Sequence, residues 1–237
     1  MKKLYTLIKN DLKLIVRDKT LLSFLLLPPV LIIAFKFLTP ILVETAPILE
    51  EYRVIIGMFA SIQTAIMFGF VTSFLILDEK DENVMNVIRI LPISGFYFIL
   101  YRLLFATVFS SIAAYAMITL SDIAHPGNLE AILLAILYGM TAPTISLAIS
   151  TYAKNKVEGM AYFKGIDLLL MLPIASFFVG SSLSMIFSIL PTYWVFHFYE
   201  TSYNDAPAFE FFAVGFCFFG ILISLLLFQF RKRVFGR

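Results

Sequence analysis

Charge is scarce in this sequence. Only 14% of its 237 residues are Asp, Glu, Lys or Arg, whereas 60% are apolar. Soluble domains carry about 25% charged and 45–50% apolar residues, so a water-facing globular surface is excluded. Cysteine is nearly absent: the single Cys217, inside FFAVGFCFFG, rules out an internal disulfide and reads as a small apolar side chain. Histidine is limited to His125 and His197, far apart along the chain, and no HExxH or clustered Cys/His pattern occurs, so no metal site is expected. A GxxxxGKS/T phosphate loop and a GxSxG nucleophile elbow are both missing. Neither catalysis by this chain nor a cofactor within it is expected, and no nucleic-acid partner. The first residues lack the basic, apolar, small-residue order of a cleavable secretory signal. No repeat, low-complexity tract or linker divides the chain, so residues 1–237 read as one domain.

What the sequence has instead is long apolar runs. A bilayer core of about 30 Å needs about 20 helical residues to cross it. Six runs meet that length: 21–38, 52–77, 96–120, 129–152, 165–186 and 208–230. The expected fold is an all-α membrane protein with six transmembrane helices. Pro28 and Pro29 predict a kink or break in the first, Pro143 a kink in the fourth, and Pro173 falls inside the fifth. Residues 1–19 read as an amphipathic interfacial helix: Leu4, Leu7, Ile8, Leu12 and Ile15 share one face and Lys2, Lys3, Lys9, Lys13 and Arg17 lie off it. Residues 187–206 are rich in aromatics (Tyr193, Trp194, Phe196, Phe198, Tyr199, Tyr203) and read as an outer interfacial or re-entrant segment, with Pro191 at a helix start.

Lys and Arg set the expected orientation. They gather in the N-terminal segment, at Lys80 and Arg89, at Lys154, Lys156 and Lys164, and in the tail at Arg231, Lys232, Arg233 and Arg237. The alternate connections hold mainly acids: Glu44, Glu50, Glu51, Asp122, Glu130, Glu200, Asp205 and Glu210. The positive-inside rule then puts both termini in the cytoplasm of a multi-pass inner or plasma membrane protein.

The most informative connection is DEKDENVMNVIRILPISGFYFILYR, from Asp78 to Arg102. Val84, Val87, Ile88 and Leu91 fall on one helical face, Asp78, Glu79, Asp81 and Glu82 precede it, and Pro92 stops it. A short amphipathic helix flat on the cytoplasmic surface is expected at 78–92. Its acids either solvate a loop or dock a cytoplasmic partner.

The amphipathic N-terminal helix, the proline-bearing first span, this acidic connection with its Leu-Pro-Ile-Ser step, YAKNKVEGMAYFKGIDLLLMLP and ILPTYW together resemble the permease subunit of type-2 ABC transporters, such as bacterial drug and ion exporter permeases. The resemblance covers essentially the whole chain. It implies a membrane-spanning subunit of an ATP-driven exporter, dimeric with a second permease subunit (homo- or heterodimer) and surrounded by membrane lipid. A separate cytoplasmic ATP-binding cassette subunit would carry ATP and magnesium. The coupling contacts it implies are Glu79, Glu82, Val84, Val87, Ile88, Arg89 and Leu91, with Asn155 and Glu158 as a second contact.

Span interiors hold small and hydroxyl residues rather than charge. Gln63, Thr64, Ser110, Ser146 and Ser176 are pathway candidates, although such groups more often mark close helix packing. Asp167 reads as one turn into the fifth span and locally paired with Lys164, Arg102 as paired with the acidic run before the coupling helix, and no span centre is expected to carry a charge. Two rival readings are a non-transporting membrane scaffold or assembly factor docked by the same flat helix, and an intramembrane lipid enzyme. The absence of paired acids or a Ser/His constellation at one depth argues against the second.

Overall fold

The computed structural model describes residues 2–82, 95–234 and 236. Among them there is no strand. Helix α1 is Lys2–Arg17 and α2 is Lys19–Thr45, followed by a 3-10 turn at Pro47–Tyr52 that leads into α3, Arg53–Asp81. Next come α4 (Gly95–Leu120), α5 (Asn128–Gly139), α6 (Thr141–Tyr152) and α7 (Lys156–Met171), the last continued as a 3-10 stretch at Leu172–Phe178. A short α8 (Ser181–Ser184), a 3-10 turn at Met185–Ile189, α9 (Pro191–Tyr203) and α10 (Phe209–Val234) complete the chain. Six of these stretches are long and apolar enough to cross a bilayer: Lys19–Thr45, Pro47–Asp81, Ile99–Leu120, Asn128–Tyr152, Lys156–Phe178 and Phe209–Val234.

The bundle is built around α3. It packs against α2, α4, α6 and α7, and its residues from Gly57 to Leu77 are almost all buried. Small residues permit that closeness: a Cβ on Gly69 would lie 2.8 Å from the Ala142 carbonyl oxygen, so α3 and α6 touch backbone to backbone there. The fourth span is at least as buried and is broken between α5 and α6. Pro143 has no N–H for the Gly139 carbonyl, so the helix opens at Met140 and restarts with the proline in its first turn. Pro173 acts similarly: α7 ends at Met171 and the chain tightens into 3-10 geometry. Pro28 and Pro29 do not divide their helix. No break occurs, and α2 runs on past them and past Pro40 to Thr45.

Two boundaries move in ways that bear on function. The fifth span begins at Lys156 rather than at Gly165, because Asn155 caps α7: its side chain accepts from the Glu158 N–H at 2.9 Å, and the Glu158 carboxylate accepts from the Lys154 N–H at 2.9 Å. At the end of the second span, Asp78 and Glu79 belong to α3, with Asp81 its last residue and Glu82 its C-cap, instead of opening a separate helix at 78. Acids at a helix C-terminus oppose the dipole, so cations are required nearby. Residues Val84, Val87, Ile88, Arg89 and Leu91 of the expected coupling helix lie outside the described residues. At the opposite end of the bundle, α9 starts at Pro191 and buries Val195, Phe196, Phe198, Tyr199 and Ser202, with contacts to α3, α5, α7 and α10. Tyr199 donates to the Ala124 carbonyl at 2.7 Å.

Candidate functional site

Two polar constellations interrupt an otherwise apolar molecule. The first ties α1 and the C-terminal end of α3 to α4. Arg102, one to two turns into α4, is buried, and its guanidinium reaches Glu79 at 2.5 and 2.7 Å and Asp11 at 2.5 and 2.9 Å. Tyr101 donates to the same Asp11 carboxylate. One arginine therefore joins α1, α3 and α4 in a single charged knot, and its charge-assisted bonds to Glu79 and Asp11 repay its desolvation. The pairing of Arg102 with the acidic run is thus realised through Glu79. That residue, grouped on sequence with the docking acids, faces inward and is buried; Glu82 remains exposed. Asp11 had not been singled out. Its clue was its place on the apolar face of α1, in line with Leu4, Leu7, Ile8 and Ile15, where a carboxylate needs a partner from another helix.

A second knot lies beside the first. Lys156 at the start of α7 bonds Asp78 at 2.6 Å and Asp18 at 2.9 Å. Asp18 also caps α2, accepting from the Thr20 and Leu21 N–H groups. The bond from Lys156 holds its carboxyl below the usual range. Lys80 donates to the Ser150 and Ala153 carbonyls at the end of α6, at 2.9 and 3.0 Å, where a cation suits the helix dipole. These cations answer the acids that end α3. Asn155 and Glu158, read on sequence as a partner contact, are engaged in each other's cap. Both knots border the connection at 83–94, since Glu79 precedes it and Arg102 follows it.

The second constellation is inside the membrane span. Asp167 is equidistant in sequence from Lys156 and Phe178, the ends of the fifth span, so about 16 Å of helix lies on one side and about 20 Å, part of it 3-10, on the other. Gln63, beside the midpoint of Pro47–Asp81, donates through Nε2 to Asp167 Oδ1 at 3.2 Å and contacts Met171 Sδ at 3.0 Å. The expectation that no span centre carries a charge is overturned, and so is the Lys164 pairing: among the described residues Lys164 is not within ion-pair distance of Asp167. The cause is the earlier start of α7, which carries Asp167 two turns deeper than the apolar run suggested.

The other pathway candidates do not join it. Thr64 bonds the Ala60 carbonyl within its own helix, and Ser110 donates to the Ala65 carbonyl at 2.8 Å, joining α4 to α3. Ser146 is fully buried in the α6 packing, and Ser176 lies 3.4 Å from His197 Nε2 near the outer surface. Burial pushes the His197 ring down and the Glu200 carboxyl up. A cavity of about 450 Å³ opens between Glu50, Glu51, Arg53, Phe178, Glu200 and Tyr203.

Comparison with known proteins agrees with this architecture. The family described as "Fluoroquinolones export permease protein Rv2686c-like" matches residues 11–227. Two curated relatives from Mycobacterium tuberculosis strains, named fluoroquinolones export permease protein MT2760 and fluoroquinolones export permease protein Rv2686c, are each 27% identical over 194 residues, covering 78% of this chain and 77% of the relative. No solved structure matches.

Proposed function

This chain belongs to the Rv2686c-like fluoroquinolones export permease family, and from that membership we propose that it is the membrane-spanning subunit of an ATP-driven exporter, working as a dimer with a separate ATPase. The observation that carries the coupling part is the Arg102 knot. The connection at 83–94 is bracketed by two residues of one ion-pair network, so a push on that connection loads α3, α4 and, through Asp11, α1 together. Lys156 passes the same load to α7 through Asp78 and to the head of α2 through Asp18. A motor protein seated on 83–94 would therefore move most of the bundle as a body, as alternating access requires.

In this reading ATP and magnesium are bound by the partner, and Val87, Ile88 and Leu91 form the seat, with Glu82 and Arg89 at its rim. The cytoplasmic side of both termini follows from the charge bias. The names of the relatives make fluoroquinolones the first cargo to test. Proteoliposomes containing this chain and the ATP-binding protein that co-purifies with it should show ATP-dependent movement of norfloxacin. Val87→Asp with Arg89→Glu should reduce that movement at least about tenfold, as expected for charge placed in an apolar docking seat, with the chain still inserted. Failure of any ATP-binding protein to co-purify, or full transport by the double variant, overturns the reading.

A further inference from the structure

Three of the six spans are mostly uncovered in the single chain: the first, the fifth and the sixth. The first and sixth are also the two most apolar of the six, and lipid against them is unremarkable. The fifth is the least apolar. A helix that is at once the least apolar and among the least covered is poorly suited to face hydrocarbon along its whole exposed side.

Asp167 sharpens the point. It is at mid-depth and only partly buried, and among the described residues its one hydrogen-bond partner is the neutral Gln63 and no cation is in ion-pair range. Carboxylates inside membranes face protein or a water-filled path, and they mark ion or substrate routes. Gln63 donates a hydrogen bond that orients the carboxylate without neutralising it. Toward the cytoplasm lies an aromatic wall. Phe163 is one turn from Asp167 on α7, with its ring centroid 4.7 Å from that of Phe70, which stacks on Phe24 at 3.8 Å. Those rings pack in the core and close that side, so an oriented carboxylate beside the exposed Leu168 and Leu172 matches a cation with an apolar body.

We propose that Asp167, held by Gln63, is where this chain grips a protonated amine on its cargo, and that the cargo class is apolar or aromatic organic cations. The proposal rests on the exporter reading for its direction of transport, but its binding step does not need the motor. Ethidium, an aromatic cation, is the probe, and 8-anilinonaphthalene-1-sulfonate, an aromatic anion, the comparator. Binding is followed by fluorescence anisotropy on the full chain in lipid nanodiscs. Asp167→Asn should weaken ethidium binding at least about tenfold, as removal of a desolvated charge partner does, and leave the anion unchanged. Asp167→Glu should restore most of the affinity, and Glu44→Gln, an exposed outer acid, should behave as wild type.

Wild-type protein gives a measurement independent of folding of the variants. Dicyclohexylcarbodiimide should modify Asp167, and ethidium should protect it, as read from the peptide mass. Equal ethidium binding by Asp167→Asn, preference of the wild type for the anion, or modification that is absent or indifferent to ethidium overturns the proposal. ATP-driven ethidium flux that survives Asp167→Asn sinks this inference and leaves the exporter reading intact. Asp167-dependent binding without ATP-driven flux does the reverse.

Discussion

Arg102 is stable at its depth only while both of its carboxylates remain. Replacing it with Met would leave Asp11 and Glu79 facing each other in a partly desolvated site, and breaking a buried pair in this way costs about 3–5 kcal/mol. For a chain of this length that corresponds to a fall in Tm on the order of 10 °C, measurable by thermal unfolding in detergent. Arg102→Lys should recover part of it, since one ammonium cannot satisfy two carboxylates with the same fork geometry. Asp18 supplies a pH dependence at the neighbouring knot. Its carboxyl is held low in the folded chain by Lys156. A depressed pKa contributes stability above the unfolded value of about 4 and loses it as pH falls through the folded value. Wild-type protein should therefore lose stability on going from pH 5 to pH 3 more steeply than Asp18→Asn, which keeps a capping oxygen but no charge. Equal pH slopes for the two proteins would remove Asp18 from the account.

Elements in this bundle meet through small residues and local caps. The α3–α6 contact at Gly69 leaves no room for a methyl group against the Ala142 backbone. Gly69→Ala should separate the two helices and cost about 1–3 kcal/mol, seen as a lower Tm without loss of helix by circular dichroism. The start of α7 depends on Asn155. Asn155→Ala should cost about 1 kcal/mol and fray the turn that carries Lys156, weakening its bonds to Asp18 and Asp78 as well. Amide exchange at 156–160 should rise in that variant and remain unchanged in α10. The sequence anticipated these elements unevenly. Hydropathy found all six spans, because only helices long enough to cross hydrocarbon can satisfy their backbone there. It misplaced the head of the fifth, where Lys156 and Lys164 made helical residues look like a loop. Proline positions were legible, but their outcome was not: Pro143 and Pro173 interrupt their helices and Pro28 and Pro29 do not.

At the scale of the whole molecule, an even number of crossings puts both chain ends on one side of the membrane. In a Cys217→Ser background, cysteines introduced at Lys154 and Arg233 should react with an impermeant maleimide only in inverted vesicles, and one at Asn204 only in intact cells. Reversal of that pattern would invert the proposed orientation and remove the cytoplasmic seat at 83–94. The same topology explains why the two polar constellations are separate: one fastens the helices that flank residues 83–94, and the other lies midway along the fifth span, the least apolar of the six. Coupling and cargo binding would then be connected by α3 and α7, which take part in both.

The sequence alone settled how many times the chain crosses the bilayer and, through its lysines and arginines, which connections share a side. Those properties depend on local length, apolarity and charge, which each segment carries by itself. Only the folded bundle determined that Asp11 and Glu79 share one arginine, that Asn155 starts a helix early enough to carry Asp167 to mid-membrane, and that Gln63 waits there to receive it. Each of those facts joins residues tens of positions apart or turns on where one helix begins. Distance and depth of that kind exist only once the helices have packed.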